Sequence, residues 1–583
     1  MHRIEYATFV CAYGRLMTMK RIVAPLLASL TLVACGLLPK PAPDATKLPP
    51  LEIKLIAFND FHGNLKVPAT RVPVPDSSQA NGFRLEPAGG VEHFSASIKS
   101  LKRKNPNNAV ITAGDMVGAT PLLSALFKDE PTIEAMNLIG IDFHAVGNHE
   151  FDYGIKHLKR LQEGGCALNA KTAMPDCAGR EPYKGANFPF LAANVVETNS
   201  GKTIFPAYGI KEFDGFKVGF IGMTLRGTPA IVRPGGTAGL EFKDEVATAN
   251  VLVPELKRLG VATVVLLLHE GGTHTGGIND CTDFKGTLKD MVERLDPAIQ
   301  IVTTAHTHRA YVCEWGGRLV TSAGSYGTLL TEIDLTVDRG TQKIIARRAT
   351  NLIVDTKGAK DPLLTAHLAR YSALSEPLEN RVVARVQTEI NQTANSAGES
   401  PLGNLIADAH LFATNSPDKG GAVIAFNNPG SLRAPVVPGA EGAVTYGALF
   451  RVQPFQNDLI VMTLTGKQLK ALLEQQFGAT VADRSRLLGI SSGFKYTWDA
   501  ARPRGDRVLA ESMKLNGAPV RPELQYRVVA NSFIAGGSEG YTVFSEGTDR
   551  QVGVLDLEAV VQFLGANSPY APPPVGQRLQ RIN

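Results

Sequence analysis

The sequence has little that would draw it to a polyanion or hold it across a membrane. Lys and Arg number 60 against 55 Asp and Glu, a formal charge of only +5, and no long run of either cation occurs. Residues 1–34 hold Arg3, Arg15, Lys20 and Arg21 against Glu5 alone, a surplus of three that leaves +2 for the rest. Charge therefore gives no sign of a polymeric nucleic-acid partner. The apolar stretch Ile22–Ala34 is too short to span a bilayer, and no later segment reads as a transmembrane helix. Cysteine is scarce, six in 583 residues, and none stands in the close C-x-x-C pairs of structural zinc sites. Internal repeats are absent.

What is present begins with an export signal. Met19-Lys20-Arg21 precedes the apolar stretch, which ends in Leu32-Val33-Ala34-Cys35-Gly36. That order reads as a lipoprotein signal over 1–34, with Cys35 the residue to be acylated and translation starting at Met17 or Met19. A Pro-rich tether over 35–50 follows. The expected location is the cell envelope, facing the periplasm or surface, with the lipid the only membrane contact. An exported chain with four further cysteines is expected to form two disulfides, Cys166 with Cys177 across a short loop and Cys281 with Cys313.

From Leu51 to Val354 short apolar runs ("IKLIAF", "NAVITAGD", "KVGFIGM", "TVVLLLHE", "IQIVTTAH") alternate with amphipathic stretches such as "GVEHFSASIKSLKRK". This pattern predicts an α/β layered domain over 51–354. A helical connector is expected over 355–384, and an α+β domain over 385–580.

Chemistry collects at the C-terminal ends of the runs, in five fragments: Asp60-Phe61-His62, Gly114-Asp115, Gly147-Asn148-His149-Glu150, His269, and His306-Thr307-His308. Each alone is weak, because a single His after a strand is usually structural. Together they supply the mixed carboxylate and imidazole donors that two borderline divalent cations require. Asp115 is the natural bridge, and Asn148 a ligand without charge. Of twelve histidines five fall in these fragments; the others, among them His93, His144, His157, His274 and His410, read as structural or solvent-facing.

The order D-x-H, GD, GNHE, H, H-x-H resembles the calcineurin-like metallophosphoesterases, and "GNHEFDYG" narrows the resemblance to the 5'-nucleotidase family. It implies a layered β-sandwich phosphoesterase domain flanked by helices and a C-terminal substrate-binding domain. It also implies two divalent ions, of Zn, Mn, Mg or Co. Asp60, His62, Asp115 and His308 would hold one; Asp115, Asn148, His269 and His306 the other. His149 with Asp152 would form a catalytic dyad directed at the substrate phosphate. "LGNLIADA", "NPGSLR", "QPFQND" and "FIAGGSEGY" resemble the family's second-domain motifs, which nominates Asn428, Arg433, Phe455, Phe533 and Glu539 for substrate binding. Phe455 and Phe533 would sandwich a base.

Three positions depart from the family pattern: Ala305 stands for a Gly, Glu539 for a ribose-binding Asp, and Gly398 for a phosphate-binding Arg. The implied activity is hydrolysis of a small nucleotide 5'-phosphate by a metal-activated hydroxide. The alternatives are a 2',3'-cyclic nucleotide, a UDP-sugar or a thiosulfate ester as substrate. From another class, the chain could be a surface-anchored binding protein on a retired enzyme scaffold.

Overall fold

A computed structural model describes residues 48–583 apart from 80–81, 168–176, 178–180, 234 and 478–486. The signal segment, Cys35 and most of the tether lie outside the described residues.

Numbering the strands of the three main sheets in chain order, the first half gives β1 (Leu51–Phe58), β2 (Asn108–Thr112), β3 (Phe143–Ala145), β4 (Phe190–Leu191), β5 (Tyr208–Phe213) and β6 (Phe216–Met223). It continues with β7 (Thr263–Leu268), β8 (Ile299–Thr304), β9 (Ala310–Trp315), β10 (Arg318–Ala323), β11 (Leu329–Asp338) and β12 (Lys343–Ile353). They build two six-stranded sheets, in the orders β12-β11-β1-β2-β3-β4 and β9-β10-β8-β7-β6-β5.

The inner strands are parallel and buried on both faces, which is why β1 and β7 read as nearly unbroken apolar runs. Leu55, Ile111, Val265, Leu267 and Ile333 form the core between the sheets. Helix Val91–Lys104 covers the first sheet through Phe94 and Ile98, and helix Glu245–Arg258 covers the second through Val253 and Leu256. The result is the helix–sheet–sheet–helix layering expected from the alternation.

Parallel pairing aligns the strand ends. Phe58 lies beside Thr112 and Thr112 beside His144 in one sheet; Leu268 lies beside Met223 and Thr304 in the other. Every fragment singled out above leaves a strand at its C-terminal end.

Asp361 caps helix Pro362–Glu379 by accepting from the Leu363 N–H, with Pro362 at the first helical position. The helix docks on the first half: Tyr371 donates to Glu134 (2.8 Å) and His367 meets the Pro131 carbonyl (2.7 Å). At its end Glu379 takes Lys66 at 2.8 Å and Arg451 at 3.8 Å, so one carboxylate ties both halves of the chain. The second half is built on β13 (Ile424–Asn427), β14 (Asp458–Thr465), β15 (Gly489–Ile490), β16 (Gln525–Asn531) and β17 (Thr548–Leu555), in the order β15-β13-β16-β14-β17. Helix Pro401–Thr414, capped by Ser400, packs on this sheet.

Both expected disulfides, Cys166–Cys177 and Cys281–Cys313, are present. No helix among the described residues is long and apolar enough to cross a membrane.

Candidate metal centre and substrate cavity

The strand ends bring the five fragments to one point. Carboxylate and imidazole atoms fall into three overlapping groups, each within 4.8 Å: Asp60, His62 and His308; His62, Asp115 and His149; Asp115, His269 and His306. Asn148 joins the last, its Oδ1 3.0 Å from both His269 Nε2 and His306 Nδ1. Asp115 stands in two groups and so lies between the outer ones. Asp60, His62, Asp115, His306 and His308 all hold left-handed backbone conformations, with φ between 46° and 70°. Such values are uncommon outside glycine, and their clustering marks a site whose surroundings hold the backbone in place. Gly147 lies too close to the Asp115 carboxylate and to His269 for any side chain to fit without displacement.

Whether the donors suit cations can be judged from the imidazoles. His62 Nδ1 and His269 Nδ1 each sit 2.8 Å from a backbone carbonyl, of Gly118 and Ala113. Nδ1 is then the donor, and Nε2 turns its lone pair toward the cluster, as metal-binding histidines are oriented. His62 Nε2 and His308 Nε2 converge at 3.1 Å. Burial holds His62 well below the usual imidazole range and pushes His306 down to about 4, leaving both neutral.

Burial alone would raise the carboxyls of Asp60 and Asp115. The imidazoles of His308 and of His269 and His149 outweigh it and hold both below their ordinary values. Burial likewise opposes a charge on His269, yet Asp115 draws it up to about 10. Ionised carboxylates beside inward-facing nitrogens suit divalent cations, which take the place of such protons.

Beside the cluster, His149 Nδ1 lies 2.8 Å from Asp152 Oδ2 and the His149 N–H donates to Asp115. Burial would lower the imidazole, but Asp152 and Asp115 leave it above its ordinary value. Glu150, to which the sequence assigns no role, accepts from the N–H groups of Asp115, Met116 and Gly147. It thereby ties the two ligand-bearing turns together. The Tyr326 ring, also missed, lies 5.3 Å from His308 and 5.8 Å from His62. Glu150 stands in the G-N-H-E fragment singled out above, whereas no sequence pattern signals Tyr326.

A cavity of about 250 Å³ opens from the cluster between the two halves of the chain. Asn148, His149, Asp152 and His306 line it from the first half; Asn428, Arg433, Phe455, Phe533 and Glu539 line it from the second. All five residues nominated for substrate binding therefore face one space with the dyad. Phe455 is placed differently from a free stacking surface: its ring lies on the His149 imidazole at 5.8 Å, and Arg433 covers it at 5.9 Å. Glu539 accepts from Asn428 at 3.2 Å.

Gly398 does not line the cavity. Its φ of 95° would strain any other residue there, and the Leu487 side chain would have to shift to admit one. Arg233, Ile231, Val232 and Asn457 also line the cavity, and none of them was singled out from the sequence.

A double-sheet sandwich with this cluster at its strand ends is a metallophosphoesterase architecture. Residues 382–546 match the family "5'-nucleotidase, C-terminal domain". A 5'-nucleotidase precursor from Thermus thermophilus superposes with a TM-score of 0.73 at 27% identity, covering 91% of this chain and all of that one. Endonuclease YhcR of Bacillus subtilis is 30% identical over 516 residues, 88% of this chain, which spans only 39% of that protein's length. Cell wall protein Lmo0130 of Listeria monocytogenes is 28% identical over 575 residues, 93% of this chain and 70% of its own. Residues 382–546 thus form a 5'-nucleotidase C-terminal domain, and the chain as a whole is similar to 5'-nucleotidases in fold and sequence.

Proposed function

We propose that this protein is an exported phosphohydrolase that removes the 5'-phosphate from small nucleotides with the help of two divalent cations. One observation carries the reading: the His149–Asp152 pair, Asn148 and His306 at the edge of the imidazole–carboxylate cluster, and Arg433 line a single cavity that also holds two aromatic rings.

Asp60, His62, Asp115 and His308 would hold one cation, and Asp115, Asn148, His269 and His306 the second. Bound there, the cations would supply Lewis acidity toward phosphoryl oxygens and lower the pKa of the attacking water. The chain's own residues do the rest. Arg433 and the Asn148 amide neutralise charge growing on the phosphoryl group. Asp152 accepts from His149 Nδ1 and favours the charged form of the imidazole, and Nε2 donates a proton to the departing oxygen. Glu150 keeps the turns bearing Asp115 and Asn148 in register. Phe455 shields His149 from water, and Phe533, Asn428 and Glu539 take the nucleoside. The two disulfides, and the resemblance to a cell wall protein, support an envelope location.

The test is metal analysis of the purified protein followed by assays on nucleoside monophosphates, a cyclic nucleotide, a UDP-sugar and an aryl phosphate. Two equivalents of metal and fastest turnover of the monophosphates are expected. His149→Ala should lower kcat by about two orders of magnitude or more with metal content unchanged. Protein that carries no metal and hydrolyses none of these esters would make the fold a binding scaffold instead.

A further inference from the structure

A second cavity, of about 170 Å³, also lies between the two halves, and Arg433 is the one described residue that lines both. Asn64, Ala119 and Tyr326 wall it from the first half, Gln392 and Arg451 from the second. Contacts tie these walls to the His62 and His308 end of the metal cluster. The Tyr326 ring lies 5.3 Å from His308 and 5.8 Å from His62, and Asn64 Nδ2 donates to the His62 carbonyl at 2.9 Å. The substrate cavity meets the cluster elsewhere, at Asn148 and His306.

No carboxylate is among the residues that line this second cavity. Its two guanidiniums, both half-buried, are weakly engaged. Arg451 reaches Glu379 only at 3.8 Å, and that carboxylate already holds Lys66 at 2.8 Å. Burial pulls Arg451 below its ordinary value in spite of Glu379. Arg433 makes no side-chain hydrogen bond or ion pair among the described residues and covers the Phe455 ring at 5.9 Å. Two like charges facing one small space repel until an anion joins them. The Gln392 amide and the Tyr326 hydroxyl add neutral donors to the same wall.

We propose that the second cavity binds inorganic phosphate between Arg451 and Arg433, and that this ion competes with the substrate for Arg433. Guanidinium forks match the oxygens of a phosphate, and phosphate is the product released at the adjoining cluster. One guanidinium divided between two anions stabilises each less, and the anions repel, so each weakens the hold on the other. Accumulated phosphate therefore slows turnover from outside the substrate cavity. The coupling rests on the reading above that Arg433 serves the reacting phosphoryl group.

Calorimetric titration of inorganic phosphate into the metal-loaded full chain should count two phosphates, one at the cluster and one in the second cavity. Arg451→Gln should weaken the second about 10- to 100-fold in Kd, the loss of a charge-assisted contact, and spare the first. Gln392→Glu leaves the Arg451–Glu379 pair intact and should have the same effect, by adding a negative charge to the wall. Glu379→Gln should keep the second phosphate, because it frees Arg451 from its carboxylate. In wild type, phosphate should lower kcat as well as raise KM for a nucleoside monophosphate; in Arg451→Gln only the competitive effect should remain. Sodium chloride at matched ionic strength should not reproduce the fall in kcat. A single phosphate per metal-loaded chain, or purely competitive inhibition of wild type, overturns the proposal. So does loss of the second phosphate in Glu379→Gln, which would make Arg451 a tie between the halves and nothing more. Failure of the metal-loaded protein to hydrolyse any nucleotide sinks the earlier reading alone, since the phosphate count is taken without substrate.

Discussion

The Phe455 ring lies over the His149 imidazole, centroids 5.8 Å apart and planes 21° from parallel. The two residues come from different halves of the chain. A side chain nominated to stack on a substrate base thus also covers the proposed proton donor, so leaving-group binding and proton delivery share one surface.

That relationship separates the two phenylalanines. Phe455→Ala should lower kcat on every ester, an aryl phosphate included, because His149 loses its cover. Phe533 packs at the edge of the second domain's core and lines the cavity from there. Phe533→Ala should raise KM for nucleotides about 5- to 100-fold, the equivalent of one stacking contact, and affect an aryl phosphate several-fold less. Steady-state kinetics on both substrates decide it. Equal losses on both in Phe533→Ala would make that ring core packing.

Asp115 falls in two of the three donor groups, is proposed to bridge the two cations, and also accepts from the His149 backbone N–H. Asp115→Ala should abolish measurable turnover and reduce bound metal while the fold persists. Mass spectrometry under native conditions reports the metal, and circular dichroism the fold. Activity within about threefold of wild type would refute the bridging assignment, since losses at metal sites ordinarily exceed that.

Glu150 tests positioning. Glu150→Gln replaces one accepting oxygen by a donor facing backbone N–H groups, and an unmet buried donor costs about 1–3 kcal/mol. The expected result is weaker metal binding, about 10- to 100-fold in Kd, with kcat recovering at saturating metal. A loss of kcat that excess metal does not repair would place Glu150 in the chemistry itself.

Asp556 sets a pH dependence of stability. Burial pushes its carboxyl up to about 7, opposed by the hydrogen bonds it accepts from the Asn457 side chain and Leu557 N–H and by the charge of Arg233. The folded value exceeds the unfolded one of about 3.9, so the unfolded chain releases this proton first. The site's contribution is therefore greatest below about pH 4, declines as pH rises toward 7, and is flat above. Asp556→Asn should raise the urea midpoint at pH 7.5 and leave it unchanged at pH 4. A pH-independent difference between the two proteins would show that Asp556 is ionised in the fold.

The disulfide pairings, the strand-by-strand layering and the identity of the residues at the strand ends were all legible in the sequence. Each rests on local pattern: apolar runs long enough for strands, polar residues directly after them, and cysteines in an exported chain. Parallel pairing then needs only to align the strand ends for Asp60, Asp115, Asn148, His269 and His306 to meet.

Other features depend on contacts between segments far apart in sequence, and no local pattern encodes them. Glu150 stands in the G-N-H-E fragment, but its task is set only when the Asp115 turn folds over it. Arg233 looks like a loop cation until the Ser538–Gly540 turn closes beside the short helix Thr228–Ile231 that precedes it. The left-handed backbone at Asp60, His62, Asp115, His306 and His308 is equally invisible, since none of these is a glycine. Residue type and strand order determined which groups could bind cations. Only the packing of the second half against the first decided what those groups face, because the cavity wall comes from both.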